Sequence, residues 1–296
     1  MATTLRIKQP ENFSFDACLQ FLDRGFDECL YHVNGKDVKR LIRLQSGLAF
    51  ITVSSKEHML IVEIEKENIS QEDKSEVYAY TLDWFDLNRD LNPFYQLLKQ
   101  HNATQSFPQD YFGLRLMGIV DLYEALCWCV IGQQINLTFA HKIKTRLVHK
   151  YGDKLSRDGI EYYCFPEPQT LQNIQRQELV DMQFSKQKIN YIINISRAFC
   201  QGELHKPELL KLTKEQQMTK LTAIKGIGPW TANYVLMKSL RDMTCIAYGD
   251  TGLSSSLHTH FKTDKKPDKK IIDAVFKPFA SWESYLNFYL WRSLTD

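Results

Sequence analysis

Apolar residues in the first quarter of the chain recur with two different periods. Over 15–22 they fall at helical spacing, while 28–33, 37–44, 48–53 and 59–65 alternate apolar with polar in short runs. Turn residues separate these runs: Asn34-Gly35, Ser46-Gly47 and a polar turn before Met59. Asn-Gly between alternating segments is the strongest local signal for a hairpin. Residues 1–85 therefore predict an α+β domain, an antiparallel sheet with one or two helices. From Asp86 onward strand patterns largely vanish. Helical spacing predicts helices over 93–99, 122–132, 139–151, 171–180, 186–201, 214–224, 229–240, 251–261, 270–276 and 283–291. The second expected domain, 86–296, is thus mainly α-helical. Pro166 and Pro168 stiffen the link into one of its helices, and no internal repeat is visible.

Composition narrows the class without naming a function. At 296 residues, 44% hydrophobic and 24% charged, the chain reads as an ordinary globular protein, large enough for two cores. The longest apolar run, 123–132, is broken by Glu124 and too short to span a membrane. The first residues lack the layout of a signal peptide, which makes the cytoplasm the expected compartment. Seven scattered cysteines fit reduced thiols better than a disulfide framework, and Cys127-Trp128-Cys129 has no zinc-spaced partners. A net charge of +2 is low for a non-specific nucleic-acid binder, so any DNA contact must be local. The lysine-rich run 265–270 reads as a solvated loop.

The segment from Leu221 to Tyr234 carries the chemistry. It reads as a helix ending, the hairpin Lys225-Gly226-Ile227-Gly228, and a second helix opening at Pro229-Trp230-Thr231. Proline suits the first position of a helix, and glycines permit a sharp turn with positive φ. The free amides of such a turn and helix start form an anion site fit for a phosphate. Asp250 follows, 20 residues after Trp230, where it can cap the next helix and also present a carboxylate beside the bound strand. Asp242 is its rival, and reads as helix-end polarity. Lys225 and Lys238 flank the motif and are expected to face phosphate or solvent.

The whole arrangement resembles the helix-hairpin-helix superfamily of DNA glycosylases, most closely the alkylbase branch typified by DNA-3-methyladenine glycosylase II. Similar segments extend over nearly the whole chain: Asp83–Leu87, Tyr111–Arg115, the helix and turn from Leu122 to Ile135, and Leu290-Trp291. The resemblance implies a two-lobed helical core behind the sheet domain, with the helix-hairpin-helix near 214–240. It implies a monomer acting on double-stranded DNA with damaged bases, needing no organic cofactor, and associated with the nucleoid in a bacterium. By position Asp250 is the catalytic carboxylate. Trp230, Tyr234 and Trp291 line the base pocket, where electron-rich rings suit a cationic base. Gly226, Gly228, Thr231 and Lys225 contact the DNA backbone. Gln134 is the side chain that fills the gap left by a flipped base. The carbonyls of Thr222, Ile224 and Gly226 are placed to hold a monovalent cation under the hairpin.

Three differences matter. Bifunctional relatives carry a lysine nucleophile just after the Gly-x-Gly; here Trp230 stands near that place and no lysine does, which implies hydrolysis alone. Tyr248 replaces a proline before the aspartate. The C-terminal region also lacks the four-cysteine spacing of an iron–sulfur branch. Core packing is the alternative role for the three aromatic residues, and a polar loop that for Gln133-Gln134. The implied activity is release of 3-methyladenine and 7-methylguanine, leaving an abasic site. The alternatives are a glycosylase for oxidised or deaminated purines, and a DNA-binding module without catalysis.

Overall fold

The structure, a computed structural model, describes residues 3–294; residues 1–2 and 295–296, the outer ends of the two expected domains, lie outside the described residues. Strand β1 (Thr3–Lys8) leads to helix α1 (Phe15–Leu22), whose first turn is capped by Ser14. Strands β2 (Tyr31–Asn34), β3 (Asp37–Leu44), β4 (Gly47–Lys56) and β5 (Met59–Glu65) complete a five-stranded sheet in the order β1-β5-β4-β3-β2. All its pairings are antiparallel. The α+β architecture, sheet first and helices after, is the one expected.

Two details differ. β1 is an edge strand that the pattern did not predict; it pairs with β5 from Thr3↔Ile64 to Lys8↔Met59. The strand expected over 28–33 begins only at Tyr31. The Glu28 carboxylate accepts the backbone N–H groups of Cys29 and Leu30, both at 2.9 Å, and so takes them from the ladder. Helix α2 (Gln71–Trp84) then opens on a capping box between Ser70 and Asp73.

Helices α3 (Asn92–Lys99), α4 (Phe107–Asp110), α5 (Leu122–Gly132) and α6 (Leu137–Tyr151) follow. Within the helical region a short hairpin intervenes, β6 (Lys154–Arg157) and β7 (Ile160–Tyr163), joined by Asp158-Gly159 with both residues at positive φ. It was not expected. The single helix expected over 171–180 is two, α7 (Pro168–Leu171) and α8 (Arg176–Asp181). Extended backbone at Gln175 breaks it, and each piece buries its own leucine, Leu171 and Leu179. The chain continues through α9 (Lys186–Cys200), α10 (Lys206–Leu209), α11 (Lys214–Thr222), α12 (Pro229–Lys238), α13 (Thr251–Phe261), α14 (Lys269–Phe276) and α15 (Glu283–Arg292).

One continuous apolar cluster runs from the sheet into the helices, including Val38, Ile51, Val62, Phe94, Leu126, Leu236 and Phe288. The other face of the sheet is covered by the hairpin: Leu41 and Phe50 pack on Tyr162 and Cys164. Buried ion pairs cross the same boundary, Arg40 to Glu124 at 2.8 Å and Lys144 to Glu28 at 2.7 Å. Phe21 of α1 meets Phe288 of α15 edge-on at 4.8 Å, which brings the sheet domain against the last helix. Among the described residues no helix is long and apolar enough to cross a membrane.

Candidate active site

The hairpin joins α11 to α12. α11 begins with a capping box, Thr213 and Gln216, and ends at Thr222. Gly226 has φ +113°, a conformation that favours glycine, and a Cβ there would overlap the ring of Tyr191 on α9. Gly228 differs from expectation: its φ is −93°, open to any residue, and a Cβ there would meet nothing within 4 Å. Among the described residues no contact demands glycine at 228, and the space beside its Cα is open. Pro229 occupies the first turn as expected. Lys225 is exposed beside the turn, whereas Thr231 is buried and keeps its side chain off the surface.

The carboxylate of Asp250 caps α13. Its Oδ1 accepts the N–H of Leu253 at 2.7 Å and the indole Nε1–H of Trp291 at 2.7 Å; Oδ2 takes neither bond. Helix α15 fixes the segment that leads there. Ser284 N donates to Met243 O at 2.9 Å, Cys245 N to Ser284 Oγ at 3.1 Å, and Ala247 N to Asn287 Oδ1 at 2.9 Å. Ser284, Asn287 and Trp291 are spaced to share one helical face, so α15 holds the approach and the carboxylate in a single row of bonds. Gly252 allows the closest contact: a Cβ there would lie 3.1 Å from Asp250 Oδ1 and 3.3 Å from Trp291 Cδ1. Tyr248 anchors the loop from the other side, its hydroxyl bonded to Asp273 and its ring 4.9 Å beneath Lys269. Asp242 is tied to Thr244 and Lys214 instead.

The three aromatic residues converge. Trp230 and Tyr234 stack at 5.5 Å and 26°, and Tyr234 meets Trp291 at 6.0 Å and 39°. The row ends at Asp250 through the indole hydrogen bond. Burial raises the Tyr234 hydroxyl well above the usual tyrosine range, with Cys129 adding to it; Trp128 and Arg24 partly oppose the rise.

On the other side of the hairpin, the turn after α5 reaches across. Gln133 Nε2 donates to Gly226 O at 3.4 Å, while Gln134 is exposed in the left-handed region at φ +57°. The Ile224 carbonyl accepts from Ile227 N at 3.0 Å, and each of these two carbonyls keeps a second lone pair. Among the described residues no cluster of three or more His, Cys, Asp or Glu could hold a metal ion.

Lys238 contradicts its expected place. It does not face phosphate or solvent: it is 5% exposed, on the inner side of α12. Burial, with Arg241 and Arg24 nearby, pushes its amine far below the usual lysine range. Sequence reading also passed over Gly252, Ser284 and Asn287. Polar residues at helical spacing in the otherwise apolar last helix were the available signal for the last two.

A carboxylate held by an indole, at the end of an aromatic row that starts on the helix opening from the hairpin, fits a DNA glycosylase. The family match agrees. Residues 127–281 match the HhH-GPD superfamily base excision DNA repair protein model, and residues 8–126 match the 8-oxoguanine DNA glycosylase N-terminal domain. The chain belongs to the HhH-GPD superfamily of base excision DNA repair proteins. Within it, the chain is an N-glycosyl hydrolase of the DNA-3-methyladenine glycosylase type. It is 36% identical over 291 residues to a DNA-3-methyladenine glycosylase of Bacillus subtilis, covering 97% of this chain and 96% of that one. In fold it is similar to 3-methyladenine DNA-glycosylase from Archaeoglobus fulgidus, with TM-score 0.83, 20% identity and 97% coverage of both chains. It is also similar to the Clostridium acetobutylicum 8-oxoguanine glycosylase/lyase solved with double-stranded DNA, with TM-score 0.77, 19% identity and coverage of 98% and 96%.

Proposed function

We propose that this protein is a monofunctional alkylpurine DNA glycosylase, releasing bases such as 3-methyladenine and 7-methylguanine from duplex DNA and leaving an abasic site. The observation that carries the reading is the Trp291–Asp250 hydrogen bond at the end of the Trp230–Tyr234–Trp291 row. It joins one carboxylate to one aromatic wall, with no lysine at 229–231. The B. subtilis relative, named for 3-methyladenine, supports the same substrate class.

In this reading a damaged nucleotide is flipped from the stack and its base enters against the aromatic row. Alkylation makes the base cationic, so it leaves neutral when the bond from its nitrogen to C1′ breaks. Leaving-group protonation is then unnecessary, and one carboxylate suffices where sugar–sugar cleavage needs two. Asp250 faces the positive charge that develops on the sugar and stabilises it. Water adds to C1′, and its proton passes to the carboxylate and on to solvent. The amides at Gly226 and Gly228, with Lys225, grip a backbone phosphate. Thr231 contributes through its backbone only. Gln134 fills the vacated stack, and a monovalent cation on the Thr222, Ile224 and Gly226 carbonyls would steady the hairpin. The protein acts as a monomer.

The test is a methylated duplex assayed for free bases and for strand breaks before and after hot alkali. Base release with breaks appearing only after alkali is expected. Strand nicking without alkali, or a covalent complex trapped by borohydride, would replace this reading with a lyase mechanism.

A further inference from the structure

A buried lysine ties down the turn that carries Gln134. Lys188 stands in the first turn of α9 and is 9% exposed. The place is unfavourable for an ammonium on two counts. Burial lowers its amine below the usual lysine range with no charged partner to offset the cost, and the N-terminal end of its own helix repels a cation. Its Nζ donates to Ile131 O at 2.7 Å, its one acceptor among the described residues. Ile131 is next to last in α5, where the final carbonyls find no partner within the helix and the dipole favours a positive charge. The lysine of one helix therefore closes the end of another.

The chain beyond that end is strained. Gln133 has left the helix, with φ −55° and ψ 126°. Gln134 is exposed in the left-handed region, which is disfavoured for any residue that carries a Cβ. Such a conformation persists only where its surroundings over-determine it. Two bonds hold this one. Lys188 fixes the Ile131 carbonyl, and Gln133 Nε2 reaches across to Gly226 O at 3.4 Å. The same side of α9 also holds the hairpin, because residues 188, 191 and 194 recur at three-residue spacing. Gly226 lies so close to Tyr191 that a Cβ would sit 2.4 Å from the ring's Cγ, and Asn194 Nδ2 approaches Lys225 O at 3.5 Å. One helix thus fixes both the Gln134 turn and the hairpin, and sets the distance between them.

We propose that Lys188 is a positioning residue for base opening. Together with Gln133 it locks the Gln134 turn at a fixed reach from the hairpin, so that gripping the backbone and filling the vacated stack occur together. Without the lock the hairpin still holds a phosphate, but the turn relaxes and the gap is filled poorly. The loss falls on a base that must be unpaired, and much less on one that has no partner. The inference rests on the proposed roles of Gln134 and the hairpin, and the experiment separates it from the alkylpurine reading.

The full chain and Lys188→Met are compared on two duplexes, one with 7-methylguanine opposite cytosine and one with the same base opposite a tetrahydrofuran abasic analogue. Single-turnover release is measured at saturating enzyme. Release of the paired base should fall about tenfold, the worth of one buried hydrogen bond to a charged group, and release of the unpaired base should stay within about twofold. A third duplex sets 2-aminopurine beside the abasic analogue, so that filling of the gap changes its fluorescence without any base release. Lys188→Met should lose that change. Equal slowing on both duplexes, an unmoved ratio, or a fluorescence change that survives in Lys188→Met overturns the proposal and leaves the glycosylase reading intact. If the wild type releases no 7-methylguanine yet changes the 2-aminopurine signal, and Lys188→Met does not, the lock stands and the alkylpurine reading falls. No signal with the wild type removes Gln134 as the gap filler and the lock with it. Should Lys188→Met fail to fold, Gln133→Ala, which cuts only the bond to Gly226, decides by the same criteria.

Discussion

Replacing Asp250 by asparagine isolates charge from shape. Asparagine is as good a helix N-cap as aspartate, and its amide oxygen can accept both bonds that Asp250 Oδ1 now receives, from Leu253 N and Trp291 Nε1. The cap and the indole contact should therefore survive, with a stability change within about 0.5 kcal/mol, as for substitutions that break no packing or network. What disappears is the negative charge opposite the sugar. Two unit charges about 4 Å apart interact by roughly 4 kcal/mol at an effective dielectric near 20. At about 1.4 kcal/mol per tenfold, that corresponds to roughly a thousandfold loss in the rate of base release. The assay is single-turnover release from methylated duplex, with duplex affinity and thermal melting measured on the same preparations. Affinity should stay within about twofold, because the hairpin contacts are untouched. Base release within tenfold of wild type would refute the electrostatic role of Asp250. A fall in melting temperature of more than a few degrees would refute the claim that the cap is conserved. Asp250→Ala gives the contrast: it should also cost about 1 kcal/mol of stability from the lost cap.

Other expectations follow from neighbouring contacts. Gly252→Ala crowds Asp250 Oδ1 and Trp291 Cδ1, so the indole hydrogen bond should lengthen and base release fall about tenfold; an unchanged rate would mean the pair has room to spare. Asn287→Leu removes the acceptor for Ala247 N and should destabilise the protein by about 1–3 kcal/mol while slowing release, as denaturant melts and single-turnover rates would show. Gly226→Ala forces a side chain onto the Tyr191 ring at positive φ, and should weaken duplex binding more than it slows release from saturated enzyme. His141 is held down to about 4, chiefly by burial, with Lys144 and Arg24 adding and Glu28 opposing. Its depressed value means the unfolded chain binds the extra proton first as pH falls. The stability that comes from keeping it neutral is complete above about 6.5 and is lost, by roughly 3 kcal/mol, as pH drops toward 4. Urea melts of the wild type and His141→Phe across that window should differ in slope; identical slopes would refute the assignment.

Much of the fold was legible because local physics dictates it. Asn34-Gly35 between alternating runs could only turn a hairpin back on itself, and it does. The longer helices of the second domain were visible from apolar residues at helical spacing, although α5 and α15 are buried nearly all round, and α2 was not located. Asp158-Gly159 carried the same kind of signal, but its strands, Lys154–Arg157 and Ile160–Tyr163, are four residues each, too short for alternation to stand out. β1 was missed because an edge strand takes its identity from pairing with β5, a contact between residues far apart in sequence.

The site divides in the same way. By itself the sequence determined the hairpin with Pro229 after it, the aspartate that caps the next helix, and the shared helix face of Trp230 and Tyr234. All of these are relations within one turn or one helix, where backbone geometry fixes what neighbours what. Only the tertiary structure decided that Trp291, 41 residues beyond Asp250, donates its indole proton to that carboxylate. Only it placed Ser284 and Asn287 along the loop leading there. It alone turned Lys238 inward, between Phe21 of the sheet domain and Phe288 of the last helix. A lysine on a helix reads as solvent-facing because burying an amine is costly. Whether the chain accepts that cost depends on which elements close over the helix, and the sequence of the helix does not contain that information.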